Sequence, residues 1–264
     1  GEGIKKAIID KKPTKLIVVS LVLANAIEEL KKSQHLIESI MLSSSSASVE
    51  LKQSLMKMKT NIYEMYGASE VGTATVKKIT DSDMKSLGTT LEDTDLIIDQ
   101  ETSEIRVQTK NICVGYLNKE LELYRIFNEN EYFQTGDIGR LSETGELEYL
   151  GRLDKEFKSG GIKINPYSIE QKILKANVKN IIDCVCIGVE DRKLEKVIAM
   201  YLIVKTSLKA EEIKLIKLSI LKIVDKYEMP RYLKVTDEVY RLENGKLDRN
   251  RVEKDMVKYV DSLR

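Results

Sequence analysis

Histidine, cysteine and tryptophan are scarce or missing in this chain of 264 residues, which has one histidine, three cysteines and no tryptophan. His35 lies in a polar helical stretch and is expected on the surface, so Ser–His–Asp and Cys–His catalysis is disfavoured. The number of cysteines is odd, and none of them has CxxC spacing, which argues against a disulfide framework and a zinc site; they are Cys113, Cys184 and Cys186. Cys184 and Cys186 are expected to share one buried face of a strand. This cysteine use favours a reducing compartment, the cytoplasm.

Long apolar runs and an excess of one charge are missing as well. The longest apolar run, residues 16–27, is shorter than the ~20 residues that a bilayer needs, and it contains Ser20 and Asn25. Lys and Arg total 43 and Asp and Glu total 42, so the charge balance gives no drive toward nucleic acid or acidic membranes. No secretory signal opens the sequence. We therefore expect no nucleic-acid partner and no transmembrane segment.

The first part of the chain has an alternating helix and strand pattern. Residues 14–23 predict either a strand or the start of a helix, and residues 24–38 predict a helix. The serine run Ser43 to Ser46 is interpreted as a strand-to-helix turn, with Ser48 as the N-cap of the next helix. Residues 61–70 predict a short strand that runs into a glycine turn.

The pattern then changes twice. From Gly88 to Leu150, short alternating runs predict antiparallel strands of a small barrel or sandwich. After Gly151 the pattern predicts a helix opening at Pro166 with Asn165 as its cap, apolar strands at 181–189 and 196–204, an amphipathic helix at 210–228, a strand at 231–239 and a hairpin turn at Asn244-Gly245. The predicted organisation is an α/β region, residues 1–153, with a β-rich, barrel-like subdomain at about 88–150, followed by a separate α+β domain, residues 154–264.

Four short motifs carry candidate chemistry: YGASE at 66–70, TGD at 135–137, GRLDKEFKSGG at 151–161 and ENGKLDR at 243–249. Each motif alone is typical of an ordinary turn. In this order and spacing they resemble the adenylate-forming superfamily, which includes acyl- and aryl-CoA ligases, peptide-synthetase adenylation domains and luciferases. KSGG followed by IKINPYSIE is more similar to the acyl/aryl-CoA ligase branch. The resemblance extends over essentially the whole chain.

The resemblance implies an ATP-dependent acid–CoA ligase, which activates a carboxylic acid as acyl-AMP and transfers the acyl group to the thiol of CoA. ATP, Mg²⁺ and CoA are the implied cofactors. A carboxylate is already a nucleophile at pH 7, so the first step needs no imidazole base. A chain with one histidine is compatible with such chemistry, because charge stabilisation by cations is what the α-phosphate needs.

The resemblance also implies roles for individual residues. Lys246 would be the catalytic residue that bridges the substrate carboxylate and the α-phosphate. Asp154 would be the hinge between a large and a mobile small domain, and Gly160 and Gly161 would line the path of the CoA thiol. The implied nucleotide-binding residues are Tyr66 and Tyr149 at adenine, Gly67 at the nucleotide, Ser69 at the α-phosphate, Glu70 at Mg²⁺, Asp137 at the ribose hydroxyls and Arg152 at ribose or phosphate.

Plainer interpretations stand beside these roles. YGASE could be a strand-end turn with a buried tyrosine, Arg152 could form a surface salt bridge worth ~0–1 kcal/mol, and Lys246 could be a solvated lysine. The family's glycine-rich phosphate loop is missing from the sequence, and full members are roughly twice as long, at about 150 residues per domain. We therefore expect the C-terminal half of such an enzyme.

Several alternatives remain open at this point. The chain is either a fragment of a longer protein or a natural short homologue, and on its own it is expected to be weakly active or inactive. It could self-associate through apolar surface on a truncated lobe. Two other functions are an adenylation domain that loads a carrier-protein thiol and a non-catalytic nucleotide-binding fragment.

Overall fold

The computed structural model of the chain describes residues 2–20, 23, 26–43, 49–80, 86–117, 123–127, 130–243 and 247–264. The chain divides into two compact units, an N-terminal unit (Gly1–Leu150) and a C-terminal unit (Gly151–Arg264). Within the described ranges, no helix combines the length and the apolar character needed to cross a bilayer.

The N-terminal unit opens with a sheet covered by helices. Its five strands have the order β1-β2-β3-β4-β5; β1, β2 and β3 are parallel, and β3, β4 and β5 are antiparallel. Leu30, Ile40, Leu42, Leu55 and Ile62 belong to one buried cluster of helix and strand side chains. The element bounds are α1 Glu2–Lys11, β1 Lys15–Val19, α2 Ile27–Lys32, β2 Ser39–Ser43, α3 Val49–Met56, β3 Asn61–Ala68, β4 Gly72–Lys78 and β5 Thr89–Thr90.

The structure describes most of the residues for which the sequence predicted a strand or a helix at 14–38. Of residues 14–23, for which the sequence left strand and helix open, Lys15–Val19 form strand β1, whereas Ser20 and Leu23 are helical. The helix predicted at 24–38 is shorter: α2 is followed by a 3-10 turn at Gln34–Leu36, in which His35 is exposed as predicted. Ser48 and Ser44 to Ser46 lie outside the described residues.

The rest of the N-terminal unit is antiparallel β structure, as predicted. A four-stranded sheet has the order β11-β10-β7-β6, and β8 pairs with β9. Ile105, Val107 and Leu147 are fully buried in its core. The strand bounds are β6 Thr94–Ile98, β7 Glu104–Thr109, β8 Gly115–Leu117, β9 Leu123–Ile126, β10 Phe133–Leu141 and β11 Leu147–Arg152.

The C-terminal unit is a five-stranded sheet between helices. The order is β13-β12-β15-β14, and β16 pairs with β15 in parallel. Because alternate side chains of a strand point to opposite faces, β15 supplies both cores. Met200 packs with α4 and α5, whereas Tyr201 packs with α6. The bounds are β12 Phe157–Ser159, β13 Ile162–Ile164, α4 Pro166–Lys175, β14 Ile181–Asp191, β15 Glu195–Val204, α5 Ala210–Ile223, β16 Tyr232–Thr236 and α6 Arg249–Ser262.

Two local predictions in this unit are confirmed. Helix α4 begins at Pro166, and the side-chain oxygen of Asn165 accepts a hydrogen bond from the Ser168 amide at 3.1 Å. Cys184 and Cys186 lie on one buried face of β14 with their sulfur atoms 4.0 Å apart.

Two other predictions need correction. The helix predicted at 210–228 ends at Ile223, because the chain becomes extended at Val224 and a separate 3-10 turn begins after Asp225. The Asp225 amide donates to the Glu228 carboxylate at 3.0 Å, which satisfies the start of that turn. The strand predicted at 231–239 is confined to Tyr232–Thr236.

Candidate functional site in the N-terminal unit

The YGASE motif lies at the end of β3 and in the turn that follows. The β3–β4 register shifts between Tyr66 and Gly67. A Cβ atom on Gly67 would lie 1.9 Å from the carbonyl oxygen of Gly72, so the hairpin itself requires glycine there. The register shift turns β3 at the point where Tyr66, only 7% exposed, enters the core of the β-rich sheet.

The TGD motif forms a bulge in β10. Its pairing with β7 is interrupted between Gln134 and Ile138. The Thr135 hydroxyl donates to the Ile105 carbonyl at 2.6 Å and accepts from the Asp137 amide at 3.1 Å. Bulges redirect side chains, and here the bulge places the carboxylate of Asp137 in the interior, 9% exposed.

Tyr66 and Asp137 meet although 71 positions separate them in the sequence. The Tyr66 hydroxyl donates to Asp137 Oδ2 at 2.8 Å. Burial, and after it the negative charge of Asp137, raises the pKa of Tyr66 far above its ordinary value. The phenol therefore keeps its proton and acts as a donor throughout the physiological pH range. The ring of Tyr149 lies beside it, with centroids 6.3 Å apart and planes 41° to each other.

Glu70 and Ser69 follow in the turn after β3. The backbone carbonyl of Glu70 accepts from the Cys113 amide at 2.7 Å, and its carboxylate accepts from the Tyr116 hydroxyl at 2.6 Å. Tyr116 packs edge-on against Phe127, with centroids 5.2 Å apart. The Glu70 carboxylate is thus held by a second strand, whereas Ser69 is exposed.

Within the described ranges, no three His, Cys, Asp or Glu side chains are grouped as a ready-made metal site. Mg²⁺ bound with a nucleotide commonly uses only one or two carboxylates, together with phosphate oxygens and water. The carboxylate of Glu70, half-buried and fixed by Tyr116, is a donor of the type that such an ion prefers.

Candidate residues in the C-terminal unit

Arg152 and Asp154 face each other at the start of the C-terminal unit. Arg152 Nε lies 3.1 Å from Asp154 Oδ1, and both side chains are about half exposed. Asp154 is in a 3-10 turn, Leu153–Lys155, which Lys155 links to Glu253 of α6 at 2.8 Å. An exposed pair of this kind contributes only ~0–1 kcal/mol, so either partner can exchange it for another contact.

Gly160 and Gly161 form the two-residue loop of the β12–β13 hairpin. Ser159 pairs with Ile162, and both glycines have positive φ, +55° and +82°, as type I′ turns require. The Gly160 amide donates to the Leu194 carbonyl at 2.9 Å, while the space beside Gly161 is open. The turn geometry by itself therefore accounts for both glycines.

Lys246 lies outside the described residues, but both sides of its segment are described. The Asp248 amide donates to the Tyr240 carbonyl at 2.9 Å, and Arg241 and Leu247 form an antiparallel bridge. Asp248 caps α6 by accepting from the Arg251 amide at 3.0 Å. The base of the segment is thus closed as a hairpin next to the start of α6.

Sequence reasoning missed two carboxylates with structural roles. Glu170, 1% exposed, accepts from the Cys186 amide at 2.8 Å and from both terminal nitrogens of Arg249, the first residue of α6. Burial raises the pKa of Glu170, and the Arg249 charge opposes that shift. Glu104, 7% exposed, accepts from the Gly136 amide of TGD at 2.9 Å. The helical period of α4 places Glu170 on the same buried face as Pro166 and Ile173, so its burial could have been predicted. No such periodicity in the sequence indicates that Glu104 is buried.

Comparison with known proteins

No family model matches the chain. It is 27% identical over 250 residues to 2-succinylbenzoate–CoA ligase of Bacillus subtilis, covering 90% of this chain and 50% of that enzyme. It is 28% identical over 220 residues to gramicidin S synthase 2 of Brevibacillus brevis, covering 76% of this chain and 5% of that protein. The chain therefore spans half of the ligase and a small part of the synthase.

Solved structures share the fold over nearly the whole chain. The o-succinylbenzoate CoA synthetase of Bacillus subtilis with its acyl-adenylate intermediate has a TM-score of 0.76 at 24% identity, over 96% of this chain and 53% of that one. ATP-bound MatB of Rhodopseudomonas palustris has a TM-score of 0.78 at 19% identity, over 97% and 53%. The resemblance to the adenylate-forming superfamily is confirmed: the relatives are acyl-CoA ligases and adenylation domains, and the coverage agrees with a C-terminal part of such enzymes.

Proposed function

We propose that this chain is part of an ATP-dependent acid–CoA ligase that makes acyl-AMP and passes the acyl group to the thiol of CoA. The observation that carries the proposal is the buried pair of Tyr66 and Asp137 with Tyr149 at its side. Such a pair offers an oriented carboxylate next to flat aromatic surface, which is what a nucleoside requires. The relation to CoA ligases supports the choice of reaction.

Asp137 is the residue to which we assign the ribose. An ionised carboxylate is only an acceptor, with room for several donors, so it can receive two neighbouring hydroxyl groups. The donated hydrogen bond from Tyr66 fixes one oxygen of the carboxylate and so its plane. Tyr149 and the ring of Tyr66 present apolar surface to adenine, and Gly67 keeps the adjacent backbone free of a side chain.

The first reaction is displacement at the α-phosphorus of ATP. A carboxylate oxygen of the acid forms a bond to this phosphorus, and the bond to pyrophosphate breaks, with its electron pair leaving on pyrophosphate. Mg²⁺, when bound at Glu70, supplies positive charge that screens the phosphate oxygens. Ser69 donates its hydroxyl to the α-phosphate, and Lys246 places a point charge between the two reacting anions without any proton transfer.

The second reaction is transfer to a thiol. The sulfur of CoA attacks the acyl carbon and gives up its proton to solvent. The bond between that carbon and the phosphate oxygen breaks, and AMP leaves with the electron pair of that bond. We assign Gly160 and Gly161 to the passage of the thiol arm, since a thin ligand needs close access to backbone. Asp154 is our candidate hinge, because a few torsions in a short turn suffice for a domain rotation. We assign Arg152 to the nucleotide; its exposed ion pair with Asp154 contributes little energy that would oppose such a contact.

Pyrophosphate release from ATP tests the proposal, measured with a panel of carboxylic acids in the full protein that carries this sequence. We expect acid-dependent release that falls by 100-fold or more in Lys246→Ala, on the scale of a lost electrostatic contact to the transition state. Lys214→Ala, a lysine on the exposed side of α5, is the matched control and should leave the rate unchanged. A Lys246→Ala rate within a few-fold of the wild type contradicts the role of this lysine.

A second candidate function is loading of a carrier-protein thiol. The similarity to gramicidin S synthase 2 over 76% of the chain favours it, whereas the KSGG segment favours CoA. Supplying CoA and a phosphopantetheinyl carrier in competition separates the two, because each acceptor yields a different thioester. Calorimetry with AMP tests the third candidate: binding of AMP in a full protein that never releases pyrophosphate would identify a nucleotide-binding module.

A further inference from the structure

We propose that Glu104 is a positioning residue, which orients Asp137 for the ribose by holding the bulge that precedes it. The inference rests on the proposed function, since Asp137 is assigned to the ribose only there. Glu104 belongs to none of the four motifs and lies 32 positions before Gly136, the glycine of TGD.

The placement of Glu104 needs an explanation, because carboxylates are costly to bury without hydrogen-bond donors. Glu104 is the first residue of β7, and its side chain is 9% exposed. Oε1 accepts from the Gly136 amide at 2.9 Å. The Arg106 guanidinium lies farther away, with Nε 3.6 Å from Oε2, and its terminal nitrogen is engaged by Asp99 at 2.7 Å. Of these two side-chain contacts of Glu104, the one to the bulge is therefore the shorter.

At the bulge, the start of β7 supplies hydrogen-bond partners for groups of β10 outside the regular register. Between Gln134 and Ile138 the β10–β7 register is interrupted, and buried amides need a partner wherever a ladder breaks. Glu104 supplies the acceptor for the amide of Gly136. Its neighbours hold the two flanks: the Ile105 carbonyl accepts from the Thr135 hydroxyl at 2.6 Å, and the Ser103 carbonyl accepts from the Gly139 amide at 3.0 Å.

The Gly136 amide lies one peptide unit before the Asp137 amide, which donates to the Thr135 hydroxyl at 3.1 Å. Holding both amides fixes the backbone from which the Asp137 side chain leaves. Gly136 has φ of +69°, a conformation that glycine adopts readily and that the bulge uses here. Binding groups need placement within about 0.5 Å and 10–20°. Losing the Glu104 acceptor turns the carboxylate of Asp137 relative to Tyr66 and impairs its hold on two hydroxyl groups at once.

Calorimetry on the whole chain with AMP and with 2′,3′-dideoxy-AMP tests this role. The wild type is expected to bind AMP at least 10-fold more tightly than the dideoxy compound. Glu104→Ala should weaken AMP binding by ~10-fold, the range of a lost orientation effect, and leave dideoxy-AMP binding within 2-fold. Glu104→Gln retains an acceptor oxygen and should restore AMP binding to within 3-fold of the wild type.

The matched control is Glu148→Ala, which removes a carboxylate of the same sheet that pairs with Arg140 at 2.6 Å; it should leave both affinities unchanged. Equal losses for the two ligands in Glu104→Ala, or no loss for either, overturn the positioning role. If circular dichroism shows that Glu104→Ala does not fold, Glu104→Asp replaces it, because its side chain is one methylene group shorter. The ratio of AMP affinity to dideoxy-AMP affinity is then compared with that of the wild type. A wild type that does not distinguish the ligands refutes the proposed ribose role of Asp137, and this inference with it.

Discussion

Removing one hydroxyl group in Tyr66→Phe is the sharpest perturbation of the buried pair. The change preserves the ring and its packing against Tyr149 but withdraws the donor that lies 2.8 Å from Asp137. The carboxylate is only 9% exposed, so water replaces the donor poorly. Hydrogen bonds to charged groups contribute about 1.5–3 kcal/mol, and we expect the free energy of unfolding to fall by that amount at pH 7.

An exposed tyrosine–aspartate pair in the same unit provides the control. The Tyr132 hydroxyl donates to Asp95 at the surface. Since water can satisfy both groups there, Tyr132→Phe should lower the free energy of unfolding by less than ~0.5 kcal/mol. Urea denaturation of the full chain, followed by circular dichroism, measures both variants. Equal effects of the two substitutions would show that the pair of Tyr66 and Asp137 is not buried in the folded protein.

The same variant predicts a pH dependence of stability. The folded state raises the pKa of Tyr66 above its ordinary 10.0, through burial first and the Asp137 charge second. The folded protein then binds this proton more tightly than the unfolded chain, so the contribution of Tyr66 is fully present below pH 10 and declines as the pH rises above it. The difference in stability between the wild type and Tyr66→Phe should therefore shrink above pH 10. A difference that stays constant or grows up to pH 11 refutes the reasoning.

Three other substitutions should lower the free energy of unfolding measured in urea. Gly67→Ala should lower it by at least ~2 kcal/mol, because the new Cβ would meet the backbone oxygen of Gly72 at 1.9 Å. Arg249→Ala should lower it by about 2–4 kcal/mol, since it leaves the Glu170 carboxylate buried without this counter-charge, although the Cys186 amide still donates to it; the Arg249 side chain is 43% exposed, which reduces the full value for a buried pair. Asn165→Ala should lower it by ~1 kcal/mol through loss of the α4 cap.

Each of these changes has a matched control in the chain. Gly72→Ala places a Cβ in open space at φ of +67° and should lower stability by only ~1 kcal/mol. Lys196→Ala removes an exposed pair with Glu190 and should change stability by less than ~0.5 kcal/mol. Asn165→Ser keeps a capping oxygen and should lower stability by less than Asn165→Ala does. If a control lowers the free energy of unfolding as much as its partner variant does, the explanation given for that variant is contradicted.

Features encoded over a few residues could be predicted from the sequence. Asn165 followed by Pro166 defines a helix start through the chemistry of the cap, and the structure confirms it. Cys184 and Cys186 lie two residues apart in an apolar run, which predicts a strand with both thiols on one buried face, and this is also confirmed. The predicted end of α5 was wrong by five residues. The apolar pattern continues to residue 228, but the chain forms a separate capped turn after Asp225 instead of continuing the helix.

The candidate site was predicted only in part. The order of the four motifs showed the resemblance to the superfamily, which the relatives confirm, and it singled out Tyr66, Asp137 and Tyr149. The individual roles of these residues stay predictions. Neither the hydrogen bond between Tyr66 and Asp137 nor the hold of Glu104 on the bulge could be read from spacing, because each depends on the register of strands far apart in sequence.

The sequence by itself determined the helix start at Asn165 and Pro166, the strand that carries Cys184 and Cys186 and the superfamily that the motifs resemble, since these properties follow from neighbouring residues. The tertiary structure alone decided which strands meet and at what offset. The interrupted register of β10 on β7 brings Gly136 to Glu104, and the fold of the unit brings Asp137 to Tyr66. The physical reason is that side-chain periodicity fixes the face a residue occupies, whereas the partner across that face is fixed by the packing of the whole unit.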